Sequence, residues 1–441
     1  MLDALIAKYD RPVPRYTSYP TAPHFTPEVG PAQEERWLAA LPDAPVSIYL
    51  HVPFCIRLCR YCGCHTTITR RRTPIERFRD SLLAEIDLLA DRIGRRARVS
   101  HLHWGGGTPN ILEAADFRTL MRRLSERFDL SQASEIAVEL DPRTLTPDKI
   151  AALREGGVNR ASLGVQDFDI EVQHAVDRVQ PYELVADVMA DLRGHGIRGI
   201  NLDLMYGLPL QTEASVERSA RLAADLAPDR IALFGYAHVP WMKRHQALLE
   251  RYPLPDAHER WRQAAVAAGQ IESRGYLAVG LDHFALPEDP LAEAARQGRL
   301  RRNFQGYTTD HAPVLIGLGP SAISRYPQGY AQNAPELPAW AAAVARNARP
   351  TCRGRVLDAD DVARAAIIER IMCDGRIDLA RHPGDYAREI EAGAALMADG
   401  LVERRDSVLQ VTERGRPLLR TFAALFDRYL ASGAGRHSRA V

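Results

Sequence analysis

The 441-residue sequence has almost no net charge: 57 Lys and Arg stand against 56 Asp and Glu, leaving +1. No global field draws such a chain to nucleic acid or to an anionic membrane, which excludes polybasic binding as its purpose. It also lacks a long apolar run, with nothing near the roughly 18 residues of a membrane helix. Residues 1–16 have neither the basic start nor the apolar core of a signal peptide. Cysteine is scarce, six in all, too few to staple a chain of this length with disulfides. With 46% hydrophobic and 26% charged residues, disorder and collagen-like repeats are excluded. These absences predict a cytoplasmic, monomeric protein with no membrane or nucleic-acid partner, built of one large catalytic domain and a smaller appendage.

What cysteine there is lies unevenly. Cys55, Cys59, Cys62 and Cys64 fall within ten residues, whereas Cys352 and Cys373 stand alone and read as buried thiols. The first three form C-x3-C-x2-C directly after an apolar strand and Pro53. Thiolates are soft ligands suited to iron–sulfur or zinc, and three of them leave one metal position open. A four-thiolate zinc site completed by Cys64 is the alternative. A buried helix face has the same spacing, but Pro53, Gly63 and the interleaved Arg57 and Arg60 oppose it.

The fold class reads as α/β. Strands are predicted at Val46–Val52, Val99–Trp104, Ile136–Leu140, Ala161–Val165, Ile200–Met205 and Ile231–Tyr236, with helical periodicity between them. Thr73-Pro74-Ile75-Glu76 predicts a capped helix start, as does Thr146-Pro147, with Gly156-Gly157 as a stop. Pro181–Arg193, Thr212–Leu226 and Asp256–Arg274 predict further helices. Six β-α units give a partial (β/α)6 barrel over residues 46–337, a doubly wound sheet being the alternative. Leu277–Leu281 and Val314–Leu318 are not counted as barrel units. Residues 1–45 form a proline- and tyrosine-containing N-terminal arm expected to dock on the barrel. Residues 338–441 read as a small, mostly helical, winged-helix-like domain without the basic run of a DNA reader.

Gly105-Gly106-Gly107-Thr108 follows the second strand, where active sites of such barrels gather; consecutive glycines there read either as a tight β-α turn or as an anion-binding concavity of free amides. Glu139 stands at the end of the third strand. His101 and His103 read as packed or hydrogen-bonded residues rather than site residues, and Arg70-Arg71-Arg72 as a solvated charge run with a weak claim on an acidic substrate.

The cysteine loop after the first barrel strand resembles the radical S-adenosylmethionine superfamily. Tyr49-Leu50-His51-Val52-Pro53-Phe54-Cys55, Cys62-Gly63-Cys64 and Pro14-Arg15-Tyr16-Thr17-Ser18-Tyr19 narrow the likeness. So do the glycine turn, Gly164–Phe168, Asp203–Pro209 and Asn303–Thr309. Within that superfamily the chain resembles the oxygen-independent coproporphyrinogen III oxidase family. The resemblance implies a [4Fe–4S] cluster on Cys55, Cys59 and Cys62, whose open iron takes S-adenosylmethionine. It assigns Gly106, Gly107, Thr108 and Glu139 to that cofactor, with Tyr49 and Ile323 at further cofactor positions. Gln166, Arg178, Asp203, Ala237 by its backbone and Tyr61 by stacking match contacts to a second S-adenosylmethionine; Tyr61 departs from the expected Phe. Cys64 is implied to be catalytic, and Arg15, Tyr16, Phe304 and Gln305 to lie in the substrate region. The implied partners are coproporphyrinogen III and an electron donor such as a flavodoxin-type protein. A haem-binding chaperone of the superfamily would be expected to lack Cys64 and the arm.

Overall fold

The computed structural model describes residues 2–382, 384–430 and 437–439. Two helices, α1 (Leu2–Tyr9) and α2 (Pro31–Ala39), precede the sheet, and Pro31 opens α2 where its missing N–H is no loss. The β-branched runs then form β1 (Val46–Val52), β2 (Val99–Gly106), β3 (Glu135–Leu140), β4 (Arg160–Gln166), β5 (Gly199–Tyr206) and β6 (Arg230–Gly235). Between them lie α3 (Arg72–Ile93), α4 (Ala114–Arg127), α5 (Pro147–Glu155), α6 (Ile170–Ala175), α7 (Tyr182–Gly194) and α8 (Glu213–Asp225). α9 (Ala257–Glu272) follows β6. Thr212 and Asp256 cap α8 and α9 through reciprocal capping boxes. Thr73 caps nothing: α3 begins at Arg72, whose guanidinium pairs with Glu76 and with Asp116 of α4. Ion pairs thus fix the first turn, and Arg72 is spent on the fold.

The six strands are parallel and neighbour one another in chain order. A doubly wound sheet reverses its order at a switch point, so this arrangement is a partial barrel. Val314–Leu318 corrects the strand count. After the hairpin β7 (Leu277–Val279) and β8 (His283–Ala285), α10 (Pro290–Arg296) and the hairpin β9 (Arg301–Asn303) and β10 (Gly306–Thr308), it forms β11, parallel to β1 on the side away from β2. No helical crossover of the β-α type leads into it, which is why the repeating pattern omits it. β12 (Ile323–Tyr326), β13 (Gly329–Asn333), α11 (Leu337–Ala345) and β14 (Thr351–Val356) follow, and the sheet runs β14-β13-β12-β11-β1-β2-β3-β4-β5-β6-β8-β7. It therefore continues past residue 337.

Alternation gives each strand two characters. Ile48 and Leu50, Leu102 and Trp104, Ile136 and Val138, Leu163 and Val165 join the core shared with the helices. Ser47, His101, His103, Glu135, Glu139, Arg160, Ser162, Asn201 and Asp203 line the barrel interior instead.

The C-terminal part comprises α12 (Ala359–Asp374), β15 (Arg376–Asp378), α13 (Ala387–Ala392), α14 (Ala394–Ala398), β16 (Val402–Arg405), β17 (Val408–Val411) and α15 (Leu419–Ala423). Its three strands pair β15-β17-β16, a helical unit with a small wing. Leu5, Tyr9, Val13, Tyr16 and Tyr19 share its core with Ile371, Phe422 and Phe426. The expectation that the arm docks on the barrel thus holds for Val29, Trp37 and Leu38, while its first nineteen residues seat their apolar side chains in the C-terminal cluster. The reason is chemical: Leu5, Tyr9, Val13, Tyr16 and Tyr19 find apolar partners there, and the Tyr16 hydroxyl donates to Asp427 at 3.0 Å.

Candidate active site

The cysteine loop leaves β1 at Pro53 and is pinned from every side. Arg60 N donates to Val176 O at 2.9 Å, His245 Nε2 lies 2.8 Å from Cys62 O, Gln246 Nε2 donates to Tyr61 O at 2.8 Å, and Lys243 Nζ donates to Cys64 O at 2.8 Å. Phe54–Cys55 pairs with Thr67–Ile68 as a short parallel ladder. These bonds fix where the thiols point.

Each of the three cysteines of the motif has polar neighbours at sulfur. Cys55 Sγ is 3.3 Å from both Thr66 Oγ1 and Thr108 Oγ1. Cys59 Sγ accepts from Arg178 Nη1 at 3.6 Å and Arg143 Nη2 at 3.8 Å. Cys62 Sγ accepts from Cys64 N at 3.4 Å. Two guanidiniums, two hydroxyls and an amide around three thiols suit thiolate ligands of an anionic cluster. Among the described residues no three His, Cys, Asp or Glu converge as they would on one ion. Cys64 is exposed beside the trio, and Cys352 is exposed as well, correcting its reading as a buried thiol: it lies on β14, the last strand at one end of the sheet. Cys373 is buried.

The glycine turn works by closeness rather than by free amides. Gly107 N and Thr108 N donate to Val52 O and Phe54 O, both at 2.8 Å, and Gly106 N donates to Glu139 Oε2 at 3.2 Å. The concavity of free amides is therefore absent at these three positions: the amides tie the turn to the cysteine loop and to Glu139. A Cβ on Gly105 would sit 2.9 Å from the Glu139 carboxyl, and one on Gly107 would sit 2.5 Å from Phe54 O. Gly106 has φ +111°, which a side chain rarely adopts.

Glu139 also meets His103, Nε2 to Oε1 3.1 Å, and His103 is opposite Tyr49 in the ladder. Tyr49 OH lies 3.0 Å from His51 Nδ1. His103 is thus hydrogen-bonded, as read, but through Glu139 it belongs to the site from which that reading left it out; strand alternation with Glu139 on the neighbouring strand was the signal. His101 instead pairs with Asp310 at 3.2 Å, a hydrogen-bonded role as expected.

Deeper in the barrel, Ser162 Oγ lies 3.2 Å from Asp203 Oδ2. Burial, and then the nearby Glu139 charge, push the Asp203 carboxyl up to about 7. Below it Arg160 joins Glu135 at 2.8 Å, and Arg230 joins Asp289 at 2.8 Å, an ion-pair floor under a cavity of about 170 Å³. Gln305 lines this cavity from the β9–β10 turn.

The remaining candidates fall as follows. Gln166 ends β4 with φ +69°, and Arg178 donates to Gly164 O at 2.6 Å while reaching Cys59. Tyr61 packs with Val172, Leu208, Tyr236 and Leu249. Ala237 follows β6, just beyond the barrel strand end, and Ile323 starts β12 beside Gly317, the partner of Tyr49 in β11. Phe304 meets Tyr330 edge-on at 6.0 Å and shares a second cavity with Tyr16, whereas Arg15 opens into a third. Sequence reasoning misses Thr66, at the far end of the cysteine loop, and Arg143, just after β3, both of which reach the thiols.

Residues 49–223, which span the cysteine loop, the glycine turn, Glu139 and Asp203, match the Radical SAM superfamily. An oxygen-independent coproporphyrinogen III oxidase of Bradyrhizobium diazoefficiens is 47% identical over 447 residues, covering 100% of this chain and 99% of the relative. The chain belongs to the oxygen-independent coproporphyrinogen III oxidase family. The family member of Escherichia coli K12 is 40% identical, with 98% of this chain and 96% of the relative covered. The solved structure of the Escherichia coli coproporphyrinogen III oxidase HemN, a radical SAM enzyme, superposes with a TM-score of 0.90 at 38% identity, covering 97% of this chain and 98% of that one. Family and fold therefore agree over the whole length, the arm and the winged domain included.

Proposed function

We propose that this chain is an oxygen-independent coproporphyrinogen III oxidase that converts two propionates of coproporphyrinogen III to vinyls, giving protoporphyrinogen IX. The observation that carries the reading is the convergence of the donor-ringed cysteine trio, the glycine turn and Glu139 on one end of a partial barrel. Cys55, Cys59 and Cys62 would hold a [4Fe–4S] cluster, which with S-adenosylmethionine beside it would supply the one-electron radical chemistry needed for oxidative decarboxylation of a propionate.

The chain's own residues bind and orient. Arg143, Arg178, Thr66 and Thr108 offset thiolate charge. Glu139, fixed by Gly106 N and His103, presents a carboxylate where the methionine amine of the first cofactor belongs. Gly106, Gly107, Thr108, Tyr49 and Ile323 frame that cofactor. Gln166, Arg178, Asp203, Tyr61 and the Ala237 backbone frame a second one. Cys64, beside the ligand trio but outside its spacing, serves the reaction, and Phe304, Gln305, Arg15 and Tyr16 face or support the substrate. The barrel floor and the covering C-terminal unit keep water from the radical.

Residues 1–45 act as arm, the barrel with its sheet continued through β14 as radical generator, and the unit from α12 onward as cover. We place the enzyme in the cytoplasm as a monomer fed by a flavodoxin-type donor, in keeping with its free thiols and near-neutral charge. No helix among the described residues is long and apolar enough to cross a membrane. No observation favours the zinc-site or haem-chaperone alternatives.

The test is anaerobic reconstitution. Iron and sulfide near four each per chain, 5′-deoxyadenosine release and vinyl porphyrin are expected; one zinc per chain without iron uptake would overturn the reading.

A further inference from the structure

A further cavity lies outside the barrel interior. It measures about 540 Å³, against about 170 Å³ for the interior, and backs onto it across β6. Leu233 and Gly235 face it while Ala232 and Phe234 face the interior; Asp282 and His283, then Arg302 and Asn303, divide in the same way.

Four guanidiniums from four separate segments meet in this cavity: Arg15 from the arm, Arg260 from α9, Arg302 from β9 and Arg420 from α15. Backbone carbonyls aim them. Arg15 Nη2 donates to Gly235 O at 2.8 Å, Arg260 Nη1 to Tyr236 O at 2.9 Å, Arg302 Nη2 to Arg15 O at 3.3 Å, and Arg420 Nη1 to Val13 O at 3.3 Å. Arg302 is 8% exposed, yet its buried Nε and Nη1 make no hydrogen bond, and the nearest carboxylate, Asp282, stands 3.9 Å away and also serves His283. Arg15 stays accessible although it lies deep in the molecule, because what it is exposed to is the cavity. Of the other carboxylates on the wall, Asp256 caps α9 and Asp10 pairs with Arg439 at 3.0 Å, while Glu272 and Glu413 complete the acidic lining. Burial, and then the neighbouring Arg15, push Arg420 down to about 10, as expected where like charges are held together. The wall also carries Arg416, Arg439 and His238, with the rings of Tyr206, Trp261 and Phe284 between the charges.

The buried Arg302 guanidinium, with two donor nitrogens unspent, and the accessible Arg15 stand beside aromatic rings, a setting that suits carboxylates carried by a large apolar ligand. We propose that this cavity anchors propionate carboxylates of the tetracarboxylate porphyrinogen through Arg15, Arg260, Arg302 and Arg420. The proposal rests on the oxidase reading. One other ligand brings the same chemistry, the methionine carboxylate of a second S-adenosylmethionine near Ala237.

The test is equilibrium binding to the full-length, cluster-loaded protein, using unreactive coproporphyrin III, its tetramethyl ester and S-adenosylmethionine as probes. In Arg260→Gln and Arg302→Gln the Kd for coproporphyrin III should rise about tenfold or more, the loss of one charge-assisted bond. The Kd for S-adenosylmethionine should stay within about twofold, and the ester should bind wild type and variants alike. Melting temperature and cluster absorbance report folding; should Arg302→Gln fail to fold, Arg15→Gln decides, since its one hydrogen bond to Gly235 O is dispensable to the core. Unchanged coproporphyrin III affinity in folded variants overturns the proposal alone. Weakened S-adenosylmethionine binding with porphyrin binding intact assigns the cavity to the cofactor and overturns it too. A wild type with no affinity for coproporphyrin III overturns the oxidase reading and this proposal together.

Discussion

Glu139 is held by a backbone amide on one side and an imidazole on the other, so its carboxylate arrives oriented. Glu139→Gln keeps the shape and loses the charge; S-adenosylmethionine affinity, read by calorimetry, should fall about tenfold or more while iron content is unchanged. Asp203 yields a pH prediction. Its pKa in the fold, about 7, lies above the ordinary 3.8, so ionisation costs stability: nothing below pH 4, increasingly between 4 and 7, and fully above 7. Asp203→Asn should therefore melt higher than wild type at pH 8.5, with the gap closing as pH falls towards 5; a gap independent of pH contradicts this. Alternation along β3 and β5 already turned both carboxylates inward in the sequence. Arg143 and Thr66 escaped it because their contacts with Cys59 and Cys55 span 84 and 11 residues, through loops that carry no periodicity.

At the scale of elements, the glycine turn and the cysteine loop form one unit, and the two outer glycines should fail differently. Gly105→Ala meets only the movable Glu139 carboxyl, so cofactor affinity should drop with the cluster retained. Gly107→Ala meets Phe54 O, backbone next to Cys55 that cannot swing aside, so reconstituted iron should fall as well. Equal iron loss in both would contradict the distinction. Amphipathic periodicity made α8 and α9 legible to within two residues, because the signal is local. β11 was visible as an apolar run but not as a barrel strand, because a strand reached without a helical crossover carries no β-α signal, only five buried residues.

Across the whole molecule, the buried Glu34–Arg349–Glu85 network ties α2, α3 and the segment before β14 together, with Arg349 3.1 Å from Glu34 and 3.5 Å from Glu85. Burial alone would raise the Glu34 carboxyl; Arg349, Thr351 and Tyr326 hold it below its ordinary range. Arg349→Ala strands two buried carboxylates and should cost about 3–5 kcal/mol in denaturant unfolding. Nothing local in the sequence joins residues so far apart. The arm, by contrast, was legible as a docking segment from its tyrosines and prolines, though not the surface it chose. The account's central claim is that this assembled frame directs a carbon radical at a propionate. The measurement that tests it most directly is anaerobic turnover of coproporphyrinogen III deuterated at the propionate β-carbons, with mass analysis of the 5′-deoxyadenosine released. The account predicts deuterium in the 5′-deoxyadenosine together with vinyl porphyrin; unlabelled 5′-deoxyadenosine accompanying vinyl formation would contradict it.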